Sequence, residues 1–228
     1  MGAALFDLLT GWDLIALAVF FTAIYGLRYL IENSPASMPS TSNLMAHYRR
    51  AWMEQSPKRA NRMVDASLMV NQRAGSAFFA SGAMLAIGGV AALLGQADRL
   101  VDVAQDLVAD AQIARRVWEM KLIFILLLVV DVFLKFVWAH RTMGYSAVLL
   151  GAMPEDGSNE EVRKAVERAA SVNIIGARTF NRGLRGLYFS LAAMAWFLGA
   201  EAFIVAVVFT SGVIYRREFL SRTREALL

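Results

Sequence analysis

Residues 74–95, AGSAFFASGAMLAIGGVAALLG, run for 22 positions without a charged side chain. As an α-helix such a run is about 33 Å long, enough to cross the hydrocarbon core of a bilayer. Three more apolar runs belong with it: LIALAVFFTAIYGL (14–27), LIFILLLVVDVFLKFVWA (122–139) and LYFSLAAMAWFLGAEAFIVAVVFTSGVIY (187–215). A chain that is 57% hydrophobic and 18% charged departs from soluble domains in the same direction. The expected class is an all-α polytopic membrane protein. Its four transmembrane helices, about 12–30, 74–95, 122–139 and 187–215, would form a single domain over residues 1–228, with amphipathic connecting helices. The first run is short, so Arg28 is expected to snorkel to the interface, with Trp12 and Tyr29 as interfacial aromatics. The fourth exceeds what a straight crossing needs and is expected to tilt or protrude.

Several chemistries drop out early. The chain has no cysteine, which removes disulfides, thiolate catalysis and cysteine-ligated metals. Asp7 and Asp13 precede the first run and no basic segment does, so that run is read as a retained helix rather than a cleaved signal. No nucleophile–base constellation, Gly-rich phosphate loop or metal-ligand spacing is present, so neither enzymatic activity nor a cofactor is expected. No basic–aromatic module points to nucleic acid.

The connections have patterns of their own. After the turn-rich NSPASMPSTSN (33–43), Leu44, Tyr48 and Trp52 recur every four residues with Arg49 and Arg50 beside them. This reads as an amphipathic helix, capped by Ser42 or Asn43, lying on the membrane surface or packing on its own bundle. In the second connection, Leu100, Ala104, Leu107, Ala111 and Ala114 line one helical face, and Asp98, Asp102, Asp106 and Asp110 line another. Those carboxylates are either a cation-attracting vestibule or the solvated side of an amphipathic helix. The third connection turns at PEDGSN (154–159), and Ser158 with Glu161 has the spacing of a capping box.

Basic residues set the orientation. The first and third connections carry seven Lys or Arg each, which places them in the cytoplasm and both termini outside. The tail IYRREFLSRTREAL is basic too and conflicts with that assignment. A fifth, re-entrant element would remove the conflict, but no segment of the sequence marks itself as one. Within the second run, Ser76/Ala80, Gly82/Ala86 and Gly88/Ala92 are small-xxx-small pairs suited to close helix approach.

HYRRAWM (47–53), FFASGAMLAIGG (78–89), NRGLRGLYFSLAAMAWFLG (181–199) and YRREFLSRTREAL (215–227) resemble a bacterial and plant family of multi-pass membrane proteins. That family is catalogued only as a domain of unknown function. The resemblance covers nearly the whole chain and implies a four-helix membrane protein. It implies no reaction, substrate or site residue.

The candidate site comes from misplaced charge. Roughly fourteen strongly apolar residues favour insertion of the third run by about 6 kcal/mol, and central Asp131 and Lys135 oppose it by about the same. Those two charges therefore need partners. Four residues apart, acid before base, they can serve each other. Glu201 is the other acid deep in a run, and a continuous fourth helix would bring it within roughly 10 Å of the depth of Asp131. Asp131, Lys135 and Glu201 are thus the candidate lining of an ion or proton pathway. A polar clasp between helices, or Lys135 reaching the interface, explains them otherwise. Asn181, Arg182 and Arg185 are candidates for contact with lipid phosphate or another anion. His140 lies at the cytoplasmic end of the third run and His47 in the first connection, which does not make a bis-histidine haem site.

The leading expectation is an oligomeric channel or transporter-like protein of the bacterial inner membrane. The rival is an accessory subunit docking on a larger membrane complex. Expected partners are membrane lipids and either further copies of the chain or another membrane protein.

Overall fold

The computed structural model of the protein describes residues 9–96, 115–154 and 160–228. Among these, every regular element is helical. The aspartates Asp98, Asp102, Asp106 and Asp110, and Ser158 of the expected capping box, lie outside the described residues.

Helix α1 is Gly11–Glu32. Thr10 caps it in a reciprocal box with Asp13: the threonine oxygen accepts from the Asp13 amide, and Asp13 accepts from the Thr10 amide at 3.0 Å. Pro35, three residues beyond Glu32, rules out continuation. Helix α2, Thr41–Gln55, starts one residue after Ser40, whose side chain accepts from the Asn43 amide. The cap is therefore Ser40, not Ser42 or Asn43, because those two use their side chains elsewhere. Ser42 donates to Glu218, and Asn43 donates to the Ile31 carbonyl that α1 leaves unsatisfied. Helix α2 packs on α5 of its own chain, defined below, as the packing alternative expects.

A short 3₁₀ turn, Ser56–Lys58, leads to α3, Met63–Leu94. Asp65 fixes this junction: fully buried, it accepts from Trp52 Nε1 at 2.6 Å and Ser56 Oγ at 3.0 Å and pairs with Arg59. Helix α4 is Arg115–Gly151 and α5 is Glu160–Ala193. Three helices, α1, α3 and α4, are long and apolar enough to cross a membrane. At 37 residues α4 is about 55 Å long, so a large part of it projects beyond any bilayer core. That projection, with the starts of α3 and α5 and the end of α2, encloses a second core of Met53, Met69, Leu150, Met153, Val162 and Val166.

The fourth apolar run does not form one helix. Helix α5 stops at Ala193, a 3₁₀ turn covers Met194–Leu198, and α6 begins at Ala200 and ends at Phe219. Between them Gly199 adopts φ +121° and ψ 165°, a backbone region in effect reserved for glycine. The chain reverses there. Arg217 Nη1 donates to Tyr188 Oη at 2.8 Å, whereas a continuous helix would hold those residues about 44 Å apart. The tail, with the short helix α7 at Arg222–Ala226, therefore returns to the end of the molecule that holds the first connection. Arg224 Nε donates there to the Pro39 carbonyl. The basic tail thereby lies beside the basic first connection at one end of the molecule.

The main core follows from the same arrangement. Phe20 of α1 is fully buried, with ring centroids of Phe124, Phe189 and Phe203 at 5.4, 5.8 and 5.4 Å. Helices α4 and α5 approach closely because Gly183 faces Phe136; a β-carbon there would lie 2.8 Å from the ring. Helix α3 packs against α4 by one face, through Ser76 on Met143 and Phe79 on Phe136. Its Gly82, Gly88 and Gly89 look into open space, so the outer small-residue pairs meet no other helix among the described residues.

Candidate functional site

The four-residue interval puts Asp131 and Lys135 on one face of α4, and Lys135 Nζ donates to Asp131. The lysine and aspartate side chains keep 32% and 56% of their exposure, so the pair lines a surface rather than stitching helices together. That surface is concave. Phe21, Ile24 and Tyr25 of α1, Phe124, Leu127 and Leu128 of α4, and Phe189 of α5 wall an open cleft of about 500 Å³ that contains the pair. Gly186 of α5 completes the wall. Counted along α4, Asp131 stands about 15 Å from Lys121 and about 14 Å from His140, midway along the apolar stretch.

Arg28, Arg182 and Arg185 close the basic end of the cleft. They converge on Glu32, the last residue of α1. Arg182 binds it in a two-pronged contact at 2.7 and 2.5 Å, Arg185 donates at 3.3 Å, and Arg28 lies 3.6 Å away. A carboxylate at a helix C-terminus is disfavoured by the helix dipole, so the arginines make this position tenable. Arg182 and Arg185, expected to meet lipid phosphate or another anion, thus spend part of their bonding on a protein carboxylate. Arg185 also approaches Glu218 of α6 at 3.7 Å. Asn181 donates weakly to Ser42 Oγ at 3.5 Å.

Glu201 does not join Asp131 and Lys135. It lies exposed in the first turn of α6, beside the reversal at Gly199, at the opposite end from Glu32. The depth expected for it assumed a continuous helix over 187–215, and the reversal removes that premise. What gathers at that end is a different set. Trp196 Nε1 donates to Asp13 Oδ1 at 2.7 Å, and Lys121 Nζ donates to the Trp196 carbonyl at 2.8 Å while lying 5.2 Å from its ring centre. Asp13 and Lys121, both buried, bolt the reversal to the starts of α1 and α4.

The two histidines stay apart in role. His140 has Nδ1 3.2 Å from the Arg73 carbonyl and Nε2 3.4 Å from Arg73 Nη2, which ties α4 to α3. His47 is an exposed α2 residue against Tyr48.

A second concavity of about 300 Å³ lies between α2, α5 and α6, at the Glu32 end. Arg49, Arg178, Arg185 and Arg217 line it, with Asn181, Tyr188 and Glu218. Arg49 is held by Gln72 Oε1 at 2.8 Å and Asn173 Oδ1 at 2.7 Å, both neutral acceptors. Burial with no acid beside it pushes the Arg49 guanidinium below its ordinary pKa.

Sequence reasoning missed Glu32, Glu218, Asp13 and Lys121 as organising residues. A signal was present for Glu32: it follows Arg28 by four residues, and an acid at a helix end calls for cations elsewhere. None marks the long-range partners of the others: Lys121 donates to a residue 75 positions away, Asp13 accepts from one 183 away, and Glu218 accepts from Ser42, 176 away.

Comparison with curated proteins and with solved structures finds no match. A family model does match: described as a protein of unknown function, DUF599, it covers residues 14–223, and the chain belongs to that family.

Proposed function

We propose that the protein is a non-catalytic, multi-pass protein of the bacterial inner membrane whose lateral cleft takes up an amphipathic anion. The observation that carries this reading is the Asp131–Lys135 pair in an open cleft midway along α4. Charge at that depth is costly unless water or a polar group reaches it, and the cleft leaves room for one. Lys135, Arg28, Arg182 and Arg185 outnumber Asp131 and the adjoining Glu32, so the balance favours an anion. The aromatic and aliphatic walls suit a hydrocarbon body. In this reading α5 and α6 enter the bilayer from the cytoplasmic side and return to it, and the tail arginines join the basic connections there.

The narrower form, a path for small ions or protons, keeps Asp131 and Lys135 but loses Glu201. The two forms are separated by one preparation. Protein purified in mild detergent is analysed by native mass spectrometry for bound acidic amphiphiles, then assayed for ion flux in liposomes. The expected result is a co-purifying acidic amphiphile that Lys135→Gln depletes several-fold. No bound amphiphile, together with flux abolished by Asp131→Asn, would replace the reading with the ion path. Absence of both would end it.

A second reading has its own observation. The outward side of α3 carries Phe78 and Leu85, 73% and 78% exposed, between glycines with open space beyond them. Such a face suits docking on a second copy or a larger membrane complex. Stoichiometric co-purification abolished by Gly82→Leu, with the cleft intact, would favour it.

A further inference from the structure

The geometry points to a phosphate-binding site in the arginine-lined pocket between α2, α5 and α6, which shares Arg185 with the lateral cleft but is argued independently of that cleft's proposed role. Four guanidinium groups line this pocket and only one carboxylate does. That carboxylate is already engaged: Glu218 accepts from the Ser42 amide at 3.0 Å and the Ser42 hydroxyl at 2.8 Å. Its contact with Arg185 Nη1, at 3.7 Å, is too long for a hydrogen bond.

The arginines are correspondingly short of acceptors. Arg178 Nε and Arg185 Nη1 are buried nitrogens with no hydrogen-bond partner among the described residues. Among the described residues Arg178 makes a single long contact, 3.5 Å to Asn43 Oδ1. Arg49 has neutral amide oxygens, and Arg217 a tyrosine hydroxyl. Buried donors left unpaired are costly, and several cations without a counter-ion more so. One tetrahedral oxyanion answers both deficits, since its oxygens accept from several guanidinium forks at once. The start of α2 at Thr41 and Ser42 borders the pocket and adds its partial positive charge.

The volume of about 300 Å³ admits a phosphate with a short attached group. Met45, Leu184 and Ile214 form an apolar side that accommodates such a group. The pocket lies where α1 and α6 end, which in the orientation proposed above is the level of an inner-leaflet headgroup. The phosphate can therefore belong to a phospholipid headgroup or to a soluble phosphate ester.

The test uses the full-length protein. Inorganic phosphate is titrated by calorimetry against detergent-purified protein. Separately, retained lipid is measured by native mass spectrometry after release from phosphatidylcholine nanodiscs with and without phosphatidic acid. The variants are Arg178→Gln, Arg178→Lys, which keeps the charge but loses the fork, and Arg49→Gln. Arg163→Gln, at the exposed start of α5, is the matched charge change elsewhere. Lys135→Gln removes a cation from the cleft instead. Phosphate binding that weakens about tenfold or more in Arg178→Gln and Arg49→Gln, and not in Arg163→Gln or Lys135→Gln, supports the site and a soluble ligand. Phosphatidic acid retention with the same variant pattern, and no response to inorganic phosphate, supports the site and a lipid source. Arg178→Gln removes a side chain with one weak contact, so a folded variant is expected. If neither ligand distinguishes Arg178→Gln and Arg49→Gln from wild type, or Lys135→Gln alone abolishes retention, the assignment is overturned.

Discussion

Glu32→Gln is the perturbation that most directly probes the polar junction. The carboxylate side chain is 17% exposed, and its partners Arg182 and Arg185 are 31% and 12% exposed, so this is a largely enclosed cluster. Arg28, at 46%, is screened and contributes little. Glutamine keeps one acceptor oxygen but loses the charge and one prong of the Arg182 contact, and it leaves two enclosed guanidiniums facing each other. Breaking a buried ion pair costs about 3–5 kcal/mol, and discounting for partial exposure gives about 2–3 kcal/mol here. For a chain of this size that lowers Tm by about 4–12 °C. Tryptophan fluorescence during heating in detergent reads it. The cost arises from orphaned arginines, so Glu32→Gln/Arg182→Gln should regain a large part of the loss. A single variant melting within about 1 °C of wild type, against that 4–12 °C expectation, or a double variant with strictly additive loss, refutes the reasoning.

Three further outcomes use the same assay. Gly199→Ala puts a β-carbon in a backbone region it disfavours and should destabilise by about 1–3 kcal/mol, read as a lower Tm. Gly183→Ala drives a β-carbon into the buried Phe136 ring and should cost about 1–3 kcal/mol, whereas Gly88→Ala, with open space around it, should leave Tm unchanged. Trp196→Phe keeps most of the ring packing but strands Asp13 without its indole donor, and should cost about 1–3 kcal/mol. Asp13→Asn in the Trp196→Phe background should then add little.

Much of the architecture is legible in the apolar runs, because three of them announce helices by length and composition alone. Asp131 and Lys135 were equally legible, since an i,i+4 pair needs no knowledge of tertiary structure. The fourth run was not. A long hydrophobic stretch with two isolated glycines reads as a helix, and only the left-handed conformation at Gly199 and the anchoring of Trp196 by Asp13 and Lys121 make it turn. The loss of Glu201 from the expected site follows from that single turn. So does the gathering of Arg217 and Glu218 with Arg49, Arg178 and Arg185 into one pocket. The basic tail held the one sequence-level hint, as a charge imbalance that four straight crossings left unexplained.

The chain reversal at Gly199 underlies the pocket and the proposed orientation, and the absence of cysteine from the chain makes it directly measurable. Single cysteines at His47, Gln96, Glu201 and Arg222 are labelled with a membrane-impermeant maleimide in right-side-out and inverted vesicles. The account predicts that positions 47 and 222 react from the cytoplasmic side and positions 96 and 201 from the opposite side. Labelling of position 222 together with position 96, with position 201 shielded, would restore one continuous fourth span and contradict the account.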